Sequence, residues 1–410
     1  MLDRFLLVII ALPVVLPAQP LASLAEEALR RNHEILAAQK RYESLRQRPS
    51  QESSLPDPIV SFGYTANGPP LPGAGLGTNP TSNIGVMVSQ EMPAPGKRTL
   101  RGQVASKEAE AAFDDYLAIR LSVTSRLAQA YHELHHATVS IASVERSQEL
   151  LRNMLRIAES RYSVGRGAQQ DVFKAQTQLA VFETQLERFR QEKIARQIEI
   201  NSLLDRLQST PIEIPDEMTA TPIPVPLDQM LALARARAPI LSRDAKDVQR
   251  SELSTNLARK DYLPDYTVSA GYFNQGSMPP MWQARVDFKL PAYFWRKQRA
   301  EVAGQEAAAG QARHTYTFDR TALEAQIREQ YSIAATALKL IGLYESSVMP
   351  GARLALESST ASYETGKLDF LAVFSNFMNV VDYELMYHEE IMQFHVALAR
   401  LEELTGGPLQ

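Results

Sequence analysis

Apolar residues recur every three or four positions along three long stretches of the chain. The first holds Leu127, Ala130, Leu134, Ala137, Ile141 and Val144; the second holds Val172, Ala175, Leu179, Phe182, Leu186 and Phe189. The third holds Val373, Phe377, Val380, Tyr387, Ile391, Phe394, Leu398 and Leu401. This period gives a helix one apolar stripe, and when sustained over many turns it predicts supercoiled helices packed side by side. From Lys97 to Tyr162, and again from Lys297 to Tyr363, about 66 residues pass without a helix-stopping cluster, apart from a kink expected at Pro350-Gly351. At about 1.5 Å per residue such a helix is about 100 Å long. No single globule buries a stripe of that length, so the pattern predicts an elongated protein, an oligomer, or both.

A period of two marks four short segments, giving strands expected over 58–66, 83–92, 266–274 and 282–290. The last alternates most clearly: Trp282, Ala284, Val286, Phe288 and Leu290 face one way, and Gln283, Arg285, Asp287 and Lys289 the other. Helices are expected over 97–163, 168–208, 297–364 and 368–405, with one further helix before the strands of each half, the first reading from Leu21 to Ser53.

The two halves repeat one another. Leu55-Pro-Asp-Pro-Ile-Val-Ser-Phe-Gly-Tyr64 returns as Leu263-Pro-Asp-Tyr-Thr-Val-Ser-Ala-Gly-Tyr272, and Tyr162-Ser-Val-Gly165 returns as Tyr363-Glu-Thr-Gly366. Met92-Pro93 is echoed by Leu290-Pro291, and Val104-Ala105 by Val302-Ala303. Element order is kept, so the chain divides into a first structural repeat over 23–208, a Pro-rich linker over 209–226 and a second repeat over 227–410.

Composition narrows the class. Across 410 residues, 43 Lys plus Arg stand against 47 Asp plus Glu, which leaves no basic footprint for nucleic acid. The absence of cysteine excludes disulfides, thiolate metal sites and a lipidated N-terminal cysteine. After residue 15 no apolar run approaches the roughly 20 residues of a spanning helix. Residues 1–22 read as a signal peptide, because Phe5 to Val15 is apolar and too short to span, and small residues follow it.

Four strands per chain leave unpaired edges, and copies from other chains would remove them by closing a barrel. The apolar-out, polar-in alternation of Trp282 to Leu290, about nine residues long, suits a membrane barrel with a wet lumen lined by Gln283, Arg285, Asp287 and Lys289. The fold class expected is therefore a mixed α/β membrane protein, a transmembrane β-barrel continuing into a long α-helical coiled-coil barrel.

The signal-like start, the duplicated helix, strand, strand, long helix, turn, helix order and the Tyr-x-x-Gly turns resemble the TolC-like outer-membrane efflux proteins. Leu55-Pro-Asp-Pro58 and Met92-Pro-Ala-Pro-Gly-Lys-Arg98 resemble most the heavy-metal cation efflux branch. The resemblance implies a homotrimer in the outer membrane of a Gram-negative bacterium, with a twelve-stranded barrel, a periplasmic helical body and no cofactor. It implies as partners a periplasmic adaptor (membrane fusion) protein and an inner-membrane pump of the resistance-nodulation-division (RND) class. It places Tyr162, Val164, Gly165, Arg166, Tyr363, Thr365, Gly366 and Lys367 at adaptor-contacting tips, where glycine also supplies the positive φ of a tight reversal. Acidic residues just past the tips would narrow the tunnel. Asp171 fits that placement; the second half has Ala372 there and Asp369 as its nearest acid.

Other classes remain open at this level. The same channel could serve type I protein secretion, and a periplasmic coiled-coil adaptor would share the long helices without needing the strands. His132-Glu133-Leu134-His135-His136 satisfies the zinc-protease spacing, with His132 and His136 as candidate ligands and Glu133 as base. It sits inside a continuous heptad pattern with no cleft-forming segment and no evident third ligand, so a zinc metallohydrolase is the weakest of these readings. Gly73-Ala-Gly-Leu-Gly77 reads as an exposed loop, and Met278 and Met281 as packing residues.

Overall fold

A computed structural model describes residues 20–215 and 217–409, so the expected signal segment lies outside the described residues except for 20–22. The described chain falls into two compact units. One contains the described part of Met1–Leu36 together with Ile119–Arg237 and Leu323–Gln410; the other contains Ala37–Ala118 and Ala238–Ala322.

Three helices lead into the first strand: α1 (Leu21–Arg31), α2 (His33–Leu45) and α3 (Arg48–Ser53). The single helix read over this region is therefore broken. Asn32 is extended at φ -61 and ψ 121, its amide donates to the Leu203 carbonyl at 3.0 Å, and its Oδ1 accepts from the N–H groups of Glu34 and Ile35. A side chain able to cap the following helix makes the break favourable. In the second half α6 (Leu227–Arg237) and α7 (Pro239–Lys260) are separated at Ala238, which has nearly the same backbone, φ -61 and ψ 118. There Pro239 at the first helical position does the work, since it needs no N–H partner.

The strands are β1 (Ile59–Thr65), β2 (Asn83–Met92), β3 (Asp265–Gln275) and β4 (Met278–Lys289), all antiparallel in the order β1-β2-β3-β4. Strand β4 begins four residues before the expected 282, and includes Pro279 and Pro280. Prolines read as breakers, but both fall in the register shift between the Phe273–Met281 and Gln275–Met278 pairs, where neither has a ladder partner to lose. The β3–β4 turn is consequently tight, with Gly276 at φ +76.

The long helices are α4 (Lys97–Ser163), α5 (Gln169–Leu203), α8 (Lys297–Leu343), α9 (Met349–Glu364) and α10 (Phe370–Thr405). The helix expected over 297–364 is not continuous, because Tyr344–Val348 forms a π-helical turn between α8 and α9. Pro350 has no N–H for the Ser346 carbonyl, and the wider turn absorbs that lost bond just before the proline. Within the helical unit, Val144, Leu151 and Ala158 of α4 step by seven, as do Ala175 and Phe182 of α5, and all are buried against Phe370, Val373, Phe377 and Val381 of α10. Seven-residue steps on facing helices are the seam of a coiled coil. In the other unit α4 presents Ala105, Ala109, Ala111 and Ala112 as buried small residues, and Asp114, 5% exposed, is matched by Lys246 Nζ at 2.6 Å.

Two repeated motifs meet at the foot of the sheet. The β2–β3 register sets Met92 opposite Tyr266, which brings the Pro-Ala-Pro-Gly-Lys segment after β2 against the Leu-Pro-Asp segment before β3. Asp265 accepts from the Ala94 N–H at 2.7 Å and from Lys97 Nζ at 2.9 and 3.0 Å, and Asp261 lies 2.9 Å from the same ammonium. Lys97 is 3% exposed. Burial works to lower its pKa, but hydrogen bonds to Asp265 and then Asp261 outweigh that and hold it above the ordinary lysine value. Replacing Lys97 with Met removes the charged hydrogen bonds to Asp265 and Asp261, both of which keep contact with water, and is expected to cost about 2 kcal/mol. Unfolding of the detergent-purified protein followed by tryptophan fluorescence checks this; an unchanged midpoint contradicts it.

Candidate functional site

The register places the two kinds of sheet residue on opposite faces. One face carries Val60, Phe62 and Tyr64 of β1, Ile84, Val86 and Val88 of β2, Val268, Ala270 and Tyr272 of β3, and Trp282, Ala284, Val286 and Phe288 of β4. In water such a face is unsustainable: Phe62 is 83% exposed, Trp282 77% and Phe288 63%. Monomeric soluble proteins rarely expose contiguous apolar patches of this kind, which mark contact with a membrane or another protein. Aromatic rings close the patch at both ends, with Tyr272 against Trp282 at 5.0 Å near the hairpin and Tyr266 against Phe288 at 6.2 Å near the foot, followed by exposed Tyr293, Phe294 and Trp295. Six strand residues separate the two pairs, about 20 Å. Aliphatic residues between two aromatic girdles at that spacing fit the lipid-facing band of a membrane strand.

The opposite face holds Gln283, Arg285, Asp287 and Lys289, all exposed, with Arg285 Nε 2.9 Å from Asp287 Oδ2. Beside them Ser89 and Ser269 share a hydroxyl hydrogen bond at 2.9 Å. Phe273 is an aromatic residue on this same face, which also carries Ile59, Met87 and Met281. Its ring lies across Gly85 and Gly271, where an added Cβ would come within 2.2 and 2.7 Å of it. Alternation alone puts Phe273 on the polar side, and only the pairing shows that two glycines make room for it.

The two helix reversals have the same construction. Gly165 N–H donates to Tyr162 O at 3.0 Å and Arg166 N–H to Arg161 O at 2.8 Å; Gly366 and Lys367 donate to Tyr363 O and Ser362 O, each at 2.9 Å. With Gly165 at φ +72 and Gly366 at φ +76, both are Schellman terminations, in which a left-handed residue lets two N–H groups satisfy the last carbonyls. Val164, Arg166, Thr365 and Lys367 are exposed, as is Tyr162. Tyr363 differs from its place in the expected contact set. It is 7% exposed, packed edge-on to Phe370, with the Arg161 guanidinium 4.2 Å above its ring. Tyr363 therefore supports the tip from inside. Asp369 is the N-cap of α10, accepting from the Ala372 N–H at 2.9 Å, and Asp171 sits half-buried in the first turn of α5.

The histidine motif does not assemble as a hydrolase. His132 stacks on His395 of α10 at 4.5 Å with 9° between planes, and its Nδ1 is 3.3 Å from Met218 Sδ. His136 turns elsewhere, edge-on to Phe189, with Nε2 3.4 Å from Ser140 Oγ. Glu133 is held by Arg196, Nε to Oε2 2.9 Å. Among the described residues no group of three His, Asp or Glu is placed to hold a metal ion. The i, i+4 spacing was misleading because the two rings point at different neighbours.

The family model of the outer membrane efflux protein matches the chain twice, over residues 24–205 and 230–407. The chain belongs to this family. Its members are transport ducts, so the protein is an outer-membrane channel protein and not an enzyme. The cobalt-zinc-cadmium resistance protein CzcC of Cupriavidus metallidurans is 20% identical over 315 residues, covering 76% of this chain and 74% of its own. Among solved structures, the outer membrane protein VceC of Vibrio cholerae superimposes with a TM-score of 0.81 at 18% identity, covering 95% of this chain and 97% of that one. The CmeC channel of Campylobacter jejuni gives 0.81 at 15% identity, covering 94% and 85%, and CusC gives 0.79 at 14%, covering 95% and 93%. These likenesses establish the channel fold.

Proposed function

We propose that three copies of this chain, each contributing four strands, close a twelve-stranded barrel that serves as the passive export duct of a tripartite efflux system. Substrates reach it from an inner-membrane RND-type pump through a periplasmic adaptor. The observation that carries this reading is the apolar face spread over all four strands with its outer strands unpaired, because lipid on one side and copies at both edges satisfy both deficits. On this reading 23–208 and 227–410 are two copies of one unit joined by 209–226. Gln283, Arg285, Asp287 and Lys289 line the lumen. Tyr162, Val164, Gly165, Arg166, Thr365, Gly366 and Lys367 meet the adaptor, and Asp171 and Asp369 narrow the tunnel behind the tips. Metal cations or small toxic compounds are the substrates of this reading, the cations supported by the Met92-Pro-Ala-Pro-Gly-Lys-Arg98 segment and by the name of the CzcC relative.

A strain that carries a cation pump and adaptor but lacks their outer-membrane channel tests this. Expression of the chain is expected to restore growth in cobalt, zinc or cadmium. Growth that stays unrestored, while a type I transporter's protein substrate is secreted instead, overturns the pump assignment.

A further inference from the structure

The paired junction at the foot of β2 and β3 has a separated counterpart in the same chain. Leu290-Pro-Ala292 after β4 repeats Met92-Pro-Ala94 after β2, and Leu55-Pro-Asp57 before β1 repeats Leu263-Pro-Asp265 before β3. The first copies meet, with Asp265 on Ala94 and Lys97. The second copies belong to β4 and β1, the two outer strands of the sheet, so they do not pair within one chain. Asp57, Arg296 and Lys297 are exposed and, among the described residues, have no ion-pair partner, whereas Lys97 is 3% exposed and doubly paired. Each chain thus holds one finished junction and two halves of another.

We propose that β4 of one copy pairs with β1 of the next in the register that β2 and β3 already use, with Asp57 received by the basic start of α8 at Arg296 and Lys297. The inference rests on the channel reading and adds its register. Transferring the observed pairs through the repeat sets Leu290 opposite Pro58, Phe288 opposite Val60, Val286 opposite Phe62 and Ala284 opposite Tyr64 of the next copy. One feature independent of the repeat agrees. Phe288, Val286 and Ala284, and opposite them Val60, Phe62 and Tyr64, all lie on the apolar face of their own strands, so that face continues across the joint. On the other face the same transfer brings Asp287 opposite Ser61, at the place where Ser89 and Ser269 share their hydrogen bond at 2.9 Å. A slip of one residue would set Phe288 against the polar face and Asp287 against lipid, and slips of two would move Asp57 away from the basic start of α8.

The chain has no cysteine, so a disulfide reads this register without background. Oxidation in native membranes of the Ser61→Cys/Asp287→Cys variant is expected to give cross-linked species up to three chains. The Ser61→Cys/Arg285→Cys and Ser61→Cys/Lys289→Cys variants are expected to cross-link about tenfold less, because opposite Cβ atoms lie within disulfide reach and diagonal ones do not. Val60→Cys/Phe288→Cys reports the same register from the lipid face, should loss of Asp287 impair assembly. Preferential cross-linking through Arg285→Cys or Lys289→Cys in a trimer overturns the register and leaves the channel reading standing. A chain that is monomeric in mild detergent overturns the channel reading itself.

Discussion

Chains in which Gly165 and Gly366 are replaced by valine are expected to reach the membrane, assemble and fail to export. Both glycines sit at positive φ, +72 and +76, where a β-branched residue is a genuine steric outlier. The left-handed backbone costs an L-residue about 1–2 kcal/mol at each site before the second β-substituent is counted. Valine escapes that cost by leaving the left-handed region, which breaks the pair of N–H bonds from Gly165 and Arg166, and from Gly366 and Lys367, that close the two helices. Nothing lies within 4 Å of a Cβ built on Gly165, so the effect is one of backbone shape and not of crowding. The tips lose the conformation that presents Val164, Arg166, Thr365 and Lys367, while the strands, which belong to the other unit, keep every pairing. Export in the complemented strain should fall to the level of an empty vector with the amount of membrane-assembled protein unchanged. Undiminished export would show that the tips do not dock.

Acid is expected to destabilise the helical unit through His132. Burial, followed by repulsion from His395 and His135, pushes its pKa down to about 3. The unfolded chain titrates near 6.5, so between those values the unfolded state binds the additional proton and stability falls as pH falls. The neutral-state contribution is whole above about pH 6.5, and by pH 5 about 2 kcal/mol of it is gone. Burial lowers the pKa of His136, His388 and His395 as well, which adds loss of the same sign. Replacing His132 with Phe keeps a flat ring on His395 and removes the titration. The unfolding free energy of that variant should therefore change between pH 7 and pH 5 by about 2 kcal/mol less than that of the parent. An equal acid loss in both would contradict the assignment.

The fold was readable where periodicity alone decides structure. Val144, Ala175, Phe182, Val373 and Phe377 stand on stripes with helical spacing, and all are buried in the seam. Trp282 to Phe288 alternate and lie on one face of β4. What escaped was set by partners distant in sequence or by geometry that outweighs a residue's usual preference. Asn32 breaks a helix because the Leu203 carbonyl is there to receive its amide. Pro279 and Pro280 are admitted to β4 because they fall in the register shift between the Phe273–Met281 and Gln275–Met278 pairs. Tyr363 matches Tyr162 in the repeat, yet Arg161 and Phe370 enclose only the second ring. His132 and His136 have zinc-site spacing, but their surroundings come from α10, α5 and the linker, none of which the local motif encodes.

The tips suit a partner protein in a further physical respect. Arg161 is occupied by the Tyr363 ring, while Arg166 and Lys367 stay exposed beside the left-handed glycines. Charges held on a fixed turn pay less ordering cost on docking than charges on a loose loop, which favours recognition of carbonyls or carboxylates across the interface.

The central claim, that this chain forms an open-ended duct through the outer membrane, is tested most directly by current through a planar lipid bilayer holding the detergent-purified, full-length protein. The account predicts discrete ion-conducting steps from trimers, with ion selectivity altered when Arg285 and Asp287 are neutralised to Gln and Asn. Trimers that insert into the bilayer and pass no current would contradict it.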